Sequence, residues 1–126
     1  MKSPYIKKLR VPVYRNVLWV IVSNNLTSAI DYMEDLTDEN IHMQDKHYQA
    51  YTYAGITEKG TPRIMLFLTP KSPLDLVCHE VKHVVNLVFA YNGVRLSLSN
   101  DEHECYYLQE VLKMVLEVLR KHQPSK

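Results

Sequence analysis

The distribution of apolar residues predicts a strand and a helix in the first third of the chain. The uninterrupted apolar run at 17–22 (VLWVIV) is typical of a strand covered on both faces, so we expect it at the centre of a sheet. The Asn pair at 24–25 interrupts this run and can cap a helix over 26–36, where apolar residues recur at helical intervals. Residues 1–10 carry four basic side chains and are predicted to form a basic N-terminal arm.

The middle of the chain has the two-residue period of β-strands. After a polar stretch at 37–46, which is predicted as a surface loop, apolar and polar residues alternate over 47–56. A Gly-containing turn at 58–60 leads to a second alternating segment at 62–69, so the two segments predict an antiparallel hairpin. One face of the first strand carries Tyr51 and Tyr53, and the other carries Tyr48, Ala50, Thr52 and Ala54.

Two helices are predicted in the C-terminal half. A Ser-Pro pair at 72–73 predicts a helix start with Ser72 as the cap and Pro73 at the first helical position, and an Asn-Gly pair at 92–93 is a typical left-handed helix end. A second helix is expected from Asp101 to about Lys121, with basic residues at its C-terminal end. The resulting order β, α, β, β, α, α predicts an α+β fold, in which a small mixed sheet packs against these two helices.

Composition limits the classes of function. A chain of 126 residues with 46% hydrophobic content can form one domain, which we place over residues 1–126. The formal net charge of +1 argues against nucleic-acid binding that depends on bulk positive charge. We recognise no signal peptide or membrane span, and therefore expect a cytoplasmic protein without a membrane partner. Cys78 and Cys105 are expected to be reduced, buried thiols.

The stretch at 78–83 (CHEVKH) carries the strongest chemical signal. On a helix, His79 and His83 project from the same side, and Glu80 stands beside the first of them. Two imidazoles on the polar stripe of a largely buried helix need partners, and a shared metal ion would provide one. Three further residues could orient the two histidines by hydrogen bonds without binding the metal themselves: Asp75, Asn86 and Asp101.

Eighteen residues, 84–101, separate His83 from Glu102. The pair of histidines, the adjacent Glu and this interval resemble the gluzincin metallopeptidases, which include the thermolysin-like enzymes and the large zinc aminopeptidases. They are also similar to small phage-encoded zincin-like proteins. The resemblance implies a minimal zincin-like domain and Zn²⁺ held by His79, His83 and Glu102. The apolar periodicity of the last helix instead favours Glu104, which is the alternative third ligand.

The resemblance also implies a mechanism. A zinc ion would lower the pKa of its bound water, and Glu80 would take the proton as general base during peptide-bond hydrolysis. A hydrogen-bond donor for the oxyanion is expected as well, because negative charge develops on the attacked carbonyl oxygen. Tyr106 and His103 are the candidates by position, and Tyr91 is a third.

The matching region covers roughly residues 60–112, and it implies a place for the substrate. By resemblance, the strand at 63–69 would be the sheet edge along which an extended peptide or protein substrate lies. A second hypothesis is that the chain is a non-catalytic, metal-stabilised binding protein, for example a phage protein directed at a host factor. This hypothesis is motivated by the chain's small size, because the large gluzincins use an additional domain as the far wall of their cleft.

Overall fold

The computed structural model describes residues 3–41, 49–99 and 101–122. These residues form a mixed α and β arrangement, which confirms the predicted α+β class. The elements in chain order are β1 (Tyr5–Arg10), β2 (Val17–Val22), α1 (Leu26–Thr37), β3 (Ala50–Ile56), β4 (Pro62–Leu68), α2 (Leu74–Tyr91) and α3 (Asp101–Arg120).

The four strands form one mixed sheet in the order β1-β2-β4-β3. β2 pairs in parallel with β4, whereas β1 and β3 pair antiparallel with their neighbours. The predicted hairpin is confirmed, since β3 and β4 are paired antiparallel in a register that sets Thr52 opposite Leu66. Tyr48 and residues 42–46 of the predicted surface loop lie outside the described residues. The prediction that the apolar run at 17–22 is a central strand is confirmed as well.

The N-terminal segment differs from its prediction, because Tyr5–Arg10 is the edge strand β1 and not an arm. Its lysines and its arginine made it look like solvated chain, yet edge strands commonly carry charged residues that prevent pairing with other molecules. Lys8 also has a partner on the sheet, since its Nζ lies 4.3 Å from the centroid of the Trp19 ring. The element order therefore gains one strand at its start.

The strand at the sheet edge beside α2 is not the one that was expected. The segment predicted at 63–69 corresponds to β4, which lies between β2 and β3 and is not an edge. Five consecutive residues of β4, 64–68, are buried, as expected for a strand with neighbours on both sides. Within the described residues the edge on this side of the sheet is β3, which packs against α2.

Helices cover both faces of the sheet, and each face has its own apolar core. α2 and α3 pack on one face, where Leu18 and Val20 of β2 point, and α1 packs on the other, where Ile21 points. The buried residues that α2 contributes to the larger core are Val77, Val81, Val84, Val85, Val88 and Phe89.

The helix ends agree in part with the sequence pattern. Asn25 caps α1, since its Oδ1 accepts a hydrogen bond of 3.0 Å from the backbone N–H of Ser28. The predicted cap of α2 is wrong, because Pro73 is the N-cap and the Ser72 hydroxyl donates to the carbonyl of Gln49 at 2.6 Å instead. None of the helices within residues 3–41, 49–99 and 101–122 has the length and apolar character needed to cross a membrane.

Candidate metal centre

The two histidines of the motif lie one turn apart on the exposed side of α2. The opposite side of the helix is anchored in the core, which fixes the direction in which His79 and His83 project. Both are exposed, and the side chain of His79 retains 65% of its accessible surface. Exposed imidazoles are solvated and do not require a metal ion, so the expectation based on their burial is wrong. The observation that favours a metal ion is instead the set of distances between the side chains of the motif.

Three side chains of the motif converge. Nε2 of His79 and Nε2 of His83 are 3.2 Å apart, with the ring planes at 79° to each other. Oε2 of Glu80 lies 3.8 Å from Nε2 of His79. One ligand atom from each of the three residues lies within 4.8 Å of the others, and no second such group occurs in the part of the chain that the structure describes.

The spacing of the two nitrogens fits a shared zinc ion. Two imidazole nitrogens, each about 2.0–2.1 Å from a tetrahedral zinc, lie about 3.3 Å apart. The 3.2 Å between the Nε2 atoms of His79 and His83 is close to this value. Nitrogen ligands with a neighbouring carboxylate are also a donor set that zinc accepts.

Glu80 is the one buried charged residue among the described positions, although it lies beside two exposed histidines. Its carboxylate is held by Thr52 of β3, whose hydroxyl donates to Oε1 of Glu80 at 2.9 Å. The same hydroxyl lies 3.2 Å from the backbone carbonyl oxygen of Glu80. Sequence reasoning missed Thr52, although the strand alternation placed it as a polar residue between Ala50 and Ala54 on one face.

An open cleft of about 830 Å³ lies between β3 and α2, and the histidine pair forms part of its wall. The residues of β3 that face α2 are small, which leaves space between the strand and the helix. The lining residues are Ala50, Tyr51, Thr52, Ala54, Asp75, Leu76, His79, Glu80, His83, Asn86, Leu87 and Ala90.

The predicted third ligand is not part of this group. Glu102 is exposed in the first turn of α3 and does not line the cleft. Glu104, the alternative, does face α2, as the periodicity of α3 indicated, but it forms an ion pair with Lys82. Lys82 also donates to Oδ1 of Asn86 at 2.8 Å. The carboxylate of Glu104 is thus held by a cation one residue before His83.

The candidates for oxyanion stabilisation also lie outside the cleft. His103 stacks on Phe89, with the ring centroids 5.2 Å apart and the planes within 4° of parallel. Its Nε2 is 2.9 Å from the hydroxyl of Tyr14, so the imidazole belongs to an aromatic cluster beside α2. Tyr106 is 65% exposed on α3, and neither it nor Tyr91 lines the cleft.

The residues predicted to orient the histidines are separated by the fold. Asp75 lines the cleft from the first turn of α2, on the stripe that continues through His79. Asn86 lines the cleft too, but its side-chain oxygen accepts from Lys82. Asp101 is exposed at the start of α3. Of the two cysteines, Cys78 is partly buried and Cys105 is exposed, so the prediction of two buried thiols is wrong for the second.

Comparison with known proteins gives no further guide. No protein-family model, no curated protein and no solved structure matches this chain. By the geometry of its three side chains, the group formed by His79, Glu80 and His83 can hold a metal ion.

Proposed function

We propose that the chain is a zinc-dependent peptidase whose metal is held by His79 and His83 and whose general base is Glu80. The observation that carries this proposal is the 3.2 Å separation of the two Nε2 atoms, with a carboxylate oxygen 3.8 Å from one of them. The separation suits a shared zinc ion, and the carboxylate stands where it can reach a water molecule bound beside the imidazoles. Glu102 remains the predicted third protein ligand.

The chemistry divides between the metal and the chain. When bound, zinc supplies a Lewis acid that polarises a carbonyl oxygen and makes a water molecule more acidic. Glu80 would accept a proton from the attacking water and deliver it to the leaving amide nitrogen. Glu80 is buried, so its carboxylate is largely shielded from solvent beside the histidines.

The cleft between β3 and α2 suits an extended peptide or protein substrate in the cytoplasm. A strand at a sheet edge can pair with a peptide backbone, which gives affinity with little dependence on side chains. Ala50 and Ala54 face the cleft and leave space above β3 for the side chains of such a peptide. Leu76 and Leu87 add apolar surface from α2.

The second candidate function is a metal-stabilised binding protein without turnover. It is favoured by the acidic residues of α3, since Glu104 is paired with Lys82 and Glu102 lies outside the group. Two imidazoles and a neighbouring carboxylate can hold a metal ion for stability alone. The two candidates differ in what Glu80 does, and this difference can be measured.

The test is the substitution Glu80→Gln, which keeps the size of the side chain and removes the base. For a peptidase we expect cleavage of an unstructured protein substrate to fall at least a hundredfold, as for the loss of a general base. Zinc should stay stoichiometric. Glu110→Gln, at an exposed position of α3, is the matched control and should keep full activity. A wild-type protein that binds zinc and cleaves no peptide would favour the binding protein instead.

A further inference from the structure

We infer that Thr52 is a positioning residue for Glu80, which fixes one carboxylate oxygen so that the other faces the histidine pair. This inference rests on the proposed function, because it assigns Thr52 a part in the same hydrolysis. The hydroxyl of Thr52 contacts Glu80, so any effect of Thr52 on the reaction would pass through Glu80.

The two oxygens of Glu80 have different surroundings. Oε1 accepts the hydroxyl of Thr52 at 2.9 Å, whereas Oε2 lies 3.8 Å from Nε2 of His79. A hydroxyl carries one proton, and the carboxylate is a stronger acceptor than the more distant backbone carbonyl at 3.2 Å. The hydrogen bond therefore holds the carboxylate by one oxygen and leaves Oε2 on the side where a metal-activated water would be deprotonated.

The anchor for this hydrogen bond comes from the sheet. Thr52 is in the middle of β3, paired with Leu66 of the central strand β4, so the position of its hydroxyl is set by backbone pairing. Glu80 is in α2, which packs against β3. The neighbours of Thr52 on this face, Ala50 and Ala54, have no polar side-chain atoms that could replace the hydroxyl.

The consequence is a catalytic effect without a binding effect. A glutamate has three side-chain torsions, and a free carboxylate would spend part of its time turned away from the water. A misplacement of a reacting group by about 1 Å can cost on the order of 100-fold in rate, so loss of the hydrogen bond that orients Glu80 should be measurable. We therefore expect Thr52 to act on kcat, with little influence on zinc affinity or on KM.

The first experiment compares Thr52→Val with Thr52→Ser in the full-length, zinc-loaded protein. Valine keeps the shape and removes the hydroxyl, so we expect kcat to fall by about 10-fold or more, with KM within about twofold of wild type. Serine restores the donor and should recover kcat to within about threefold of wild type. Thr61→Val, at an exposed threonine before β4, is the matched control and should be unchanged.

The second experiment uses the metal-free protein and needs no activity. We expect Thr52→Val to lower the melting temperature by on the order of 4 °C in the wild-type background. In a Glu80→Met background the carboxylate acceptor is gone and only the backbone carbonyl oxygen at 3.2 Å remains, so the same substitution should cause a smaller shift. Such non-additivity measures the contact between the two side chains.

Each outcome decides the role of Thr52. A low kcat for Thr52→Val with recovery by serine, together with non-additive melting temperatures, supports the inference. An active wild type with unchanged kcat in Thr52→Val overturns it and leaves the peptidase proposal intact. Equal losses for valine and serine, or additive shifts in melting temperature, also overturn it. A wild type that binds zinc and cleaves nothing overturns both proposals together.

Discussion

Nε2 of His79 lies 3.2 Å from Nε2 of His83, and the two rings stand nearly at right angles across one turn of α2. At this distance one imidazole can donate a hydrogen bond to the other, so the two nitrogens are already close before any metal binds. A preformed pair loses little conformational freedom on binding, and this favours affinity.

Zinc should stabilise the folded protein through the histidine pair. A ligand that binds only the folded state stabilises it by about 2.7 kcal/mol when its free concentration is a hundred times Kd. We therefore expect the melting temperature of wild type to rise with added zinc, and His79→Gln to show almost no rise. His122→Gln, whose ring packs on Tyr5 away from the cleft, should respond as wild type does. An equal response of His79→Gln would contradict the assignment.

The two candidates for the third ligand can be separated by substitution. Because Glu104 is paired with Lys82, we expect Glu104→Gln to lower stability by about 1 kcal/mol and to change zinc affinity by less than about threefold. Glu102→Gln tests the ligand implied by the motif interval, and a loss of zinc affinity of tenfold or more would support it. Isothermal titration of the metal-free variants gives both affinities. A large loss of affinity in Glu104→Gln would show that the ion pair yields to the metal.

Filling the cleft should block the substrate and spare the metal. Ala54 of β3 lines the cleft, so Ala54→Trp should raise KM for peptide substrates by about tenfold or more through steric exclusion. Zinc affinity should be unchanged, because Ala54 is not a member of the metal-binding group. Ile56→Trp is the matched control, since Ile56 belongs to the same strand and does not line the cleft. Unchanged KM in Ala54→Trp would place the substrate elsewhere.

The aromatic cluster beside α2 includes a tyrosine whose buried hydroxyl makes no hydrogen bond to any described residue. Among the described residues Tyr107 has a buried hydroxyl oxygen without a hydrogen-bond partner, whereas the Tyr14 hydroxyl bonds to His103 at 2.9 Å. An unpaired buried polar group costs stability, so Tyr107→Phe should raise the free energy of unfolding by about 1 kcal/mol. Tyr14→Phe removes a hydrogen bond that is made, and should lower it by about 1 kcal/mol. Urea unfolding measures both, and a destabilised Tyr107→Phe would contradict the packing described.

The same tyrosine predicts a pH dependence of stability at alkaline pH. Burial, with a smaller contribution from nearby Tyr14, raises the pKa of Tyr107 above its ordinary value of 10.0. The hydroxyl of Tyr107 is therefore deprotonated at a lower pH in the unfolded chain than in the folded chain. The free energy of unfolding is unaffected by this group below pH 10 and falls as the pH rises further. In unfolding experiments at a series of pH values, we expect a steeper fall above pH 10 for wild type than for Tyr107→Phe. Parallel curves would be the contrary result.

Much of the fold could be predicted because its elements have strong local signals. The run at 17–22 is apolar on both faces and is central in the sheet, and Asn25 caps α1 through its side chain. β1 was not predicted because its charged residues resemble solvated chain. They have partners only once β1 lies beside β2, where Lys8 lies over Trp19. Edge strands are therefore harder to recognise from the chain than covered strands.

The candidate site could be predicted only as far as one helix determines it. His79, Glu80 and His83 are placed by helical geometry alone, and the structure brings them together. Whether α3 could supply a third ligand depends on how it packs against α2, and no local sequence pattern contains that information. Periodicity correctly indicated that Glu104 faces α2, but it could not indicate that Lys82 would be its partner.

Which strand forms the sheet edge, and which residue Thr52 contacts, also depend on the tertiary arrangement and could not be predicted from the sequence. The strand order β1-β2-β4-β3 makes β3, and not β4, the strand beside the cleft. The hydrogen bond from Thr52 to Glu80 joins residues 28 positions apart, so only the packing of β3 on α2 reveals it. Alternation along β3 had put Thr52 on the correct face, which was the one signal available beforehand.

X-ray absorption at the zinc edge of the zinc-loaded protein tests the central claim most directly. The account predicts one zinc per chain and two imidazole nitrogens at about 2.0–2.1 Å, and it predicts that His83→Gln no longer retains stoichiometric zinc. A spectrum without imidazole scattering, or one that does not change when His83 is replaced, would contradict a metal ion shared by His79 and His83.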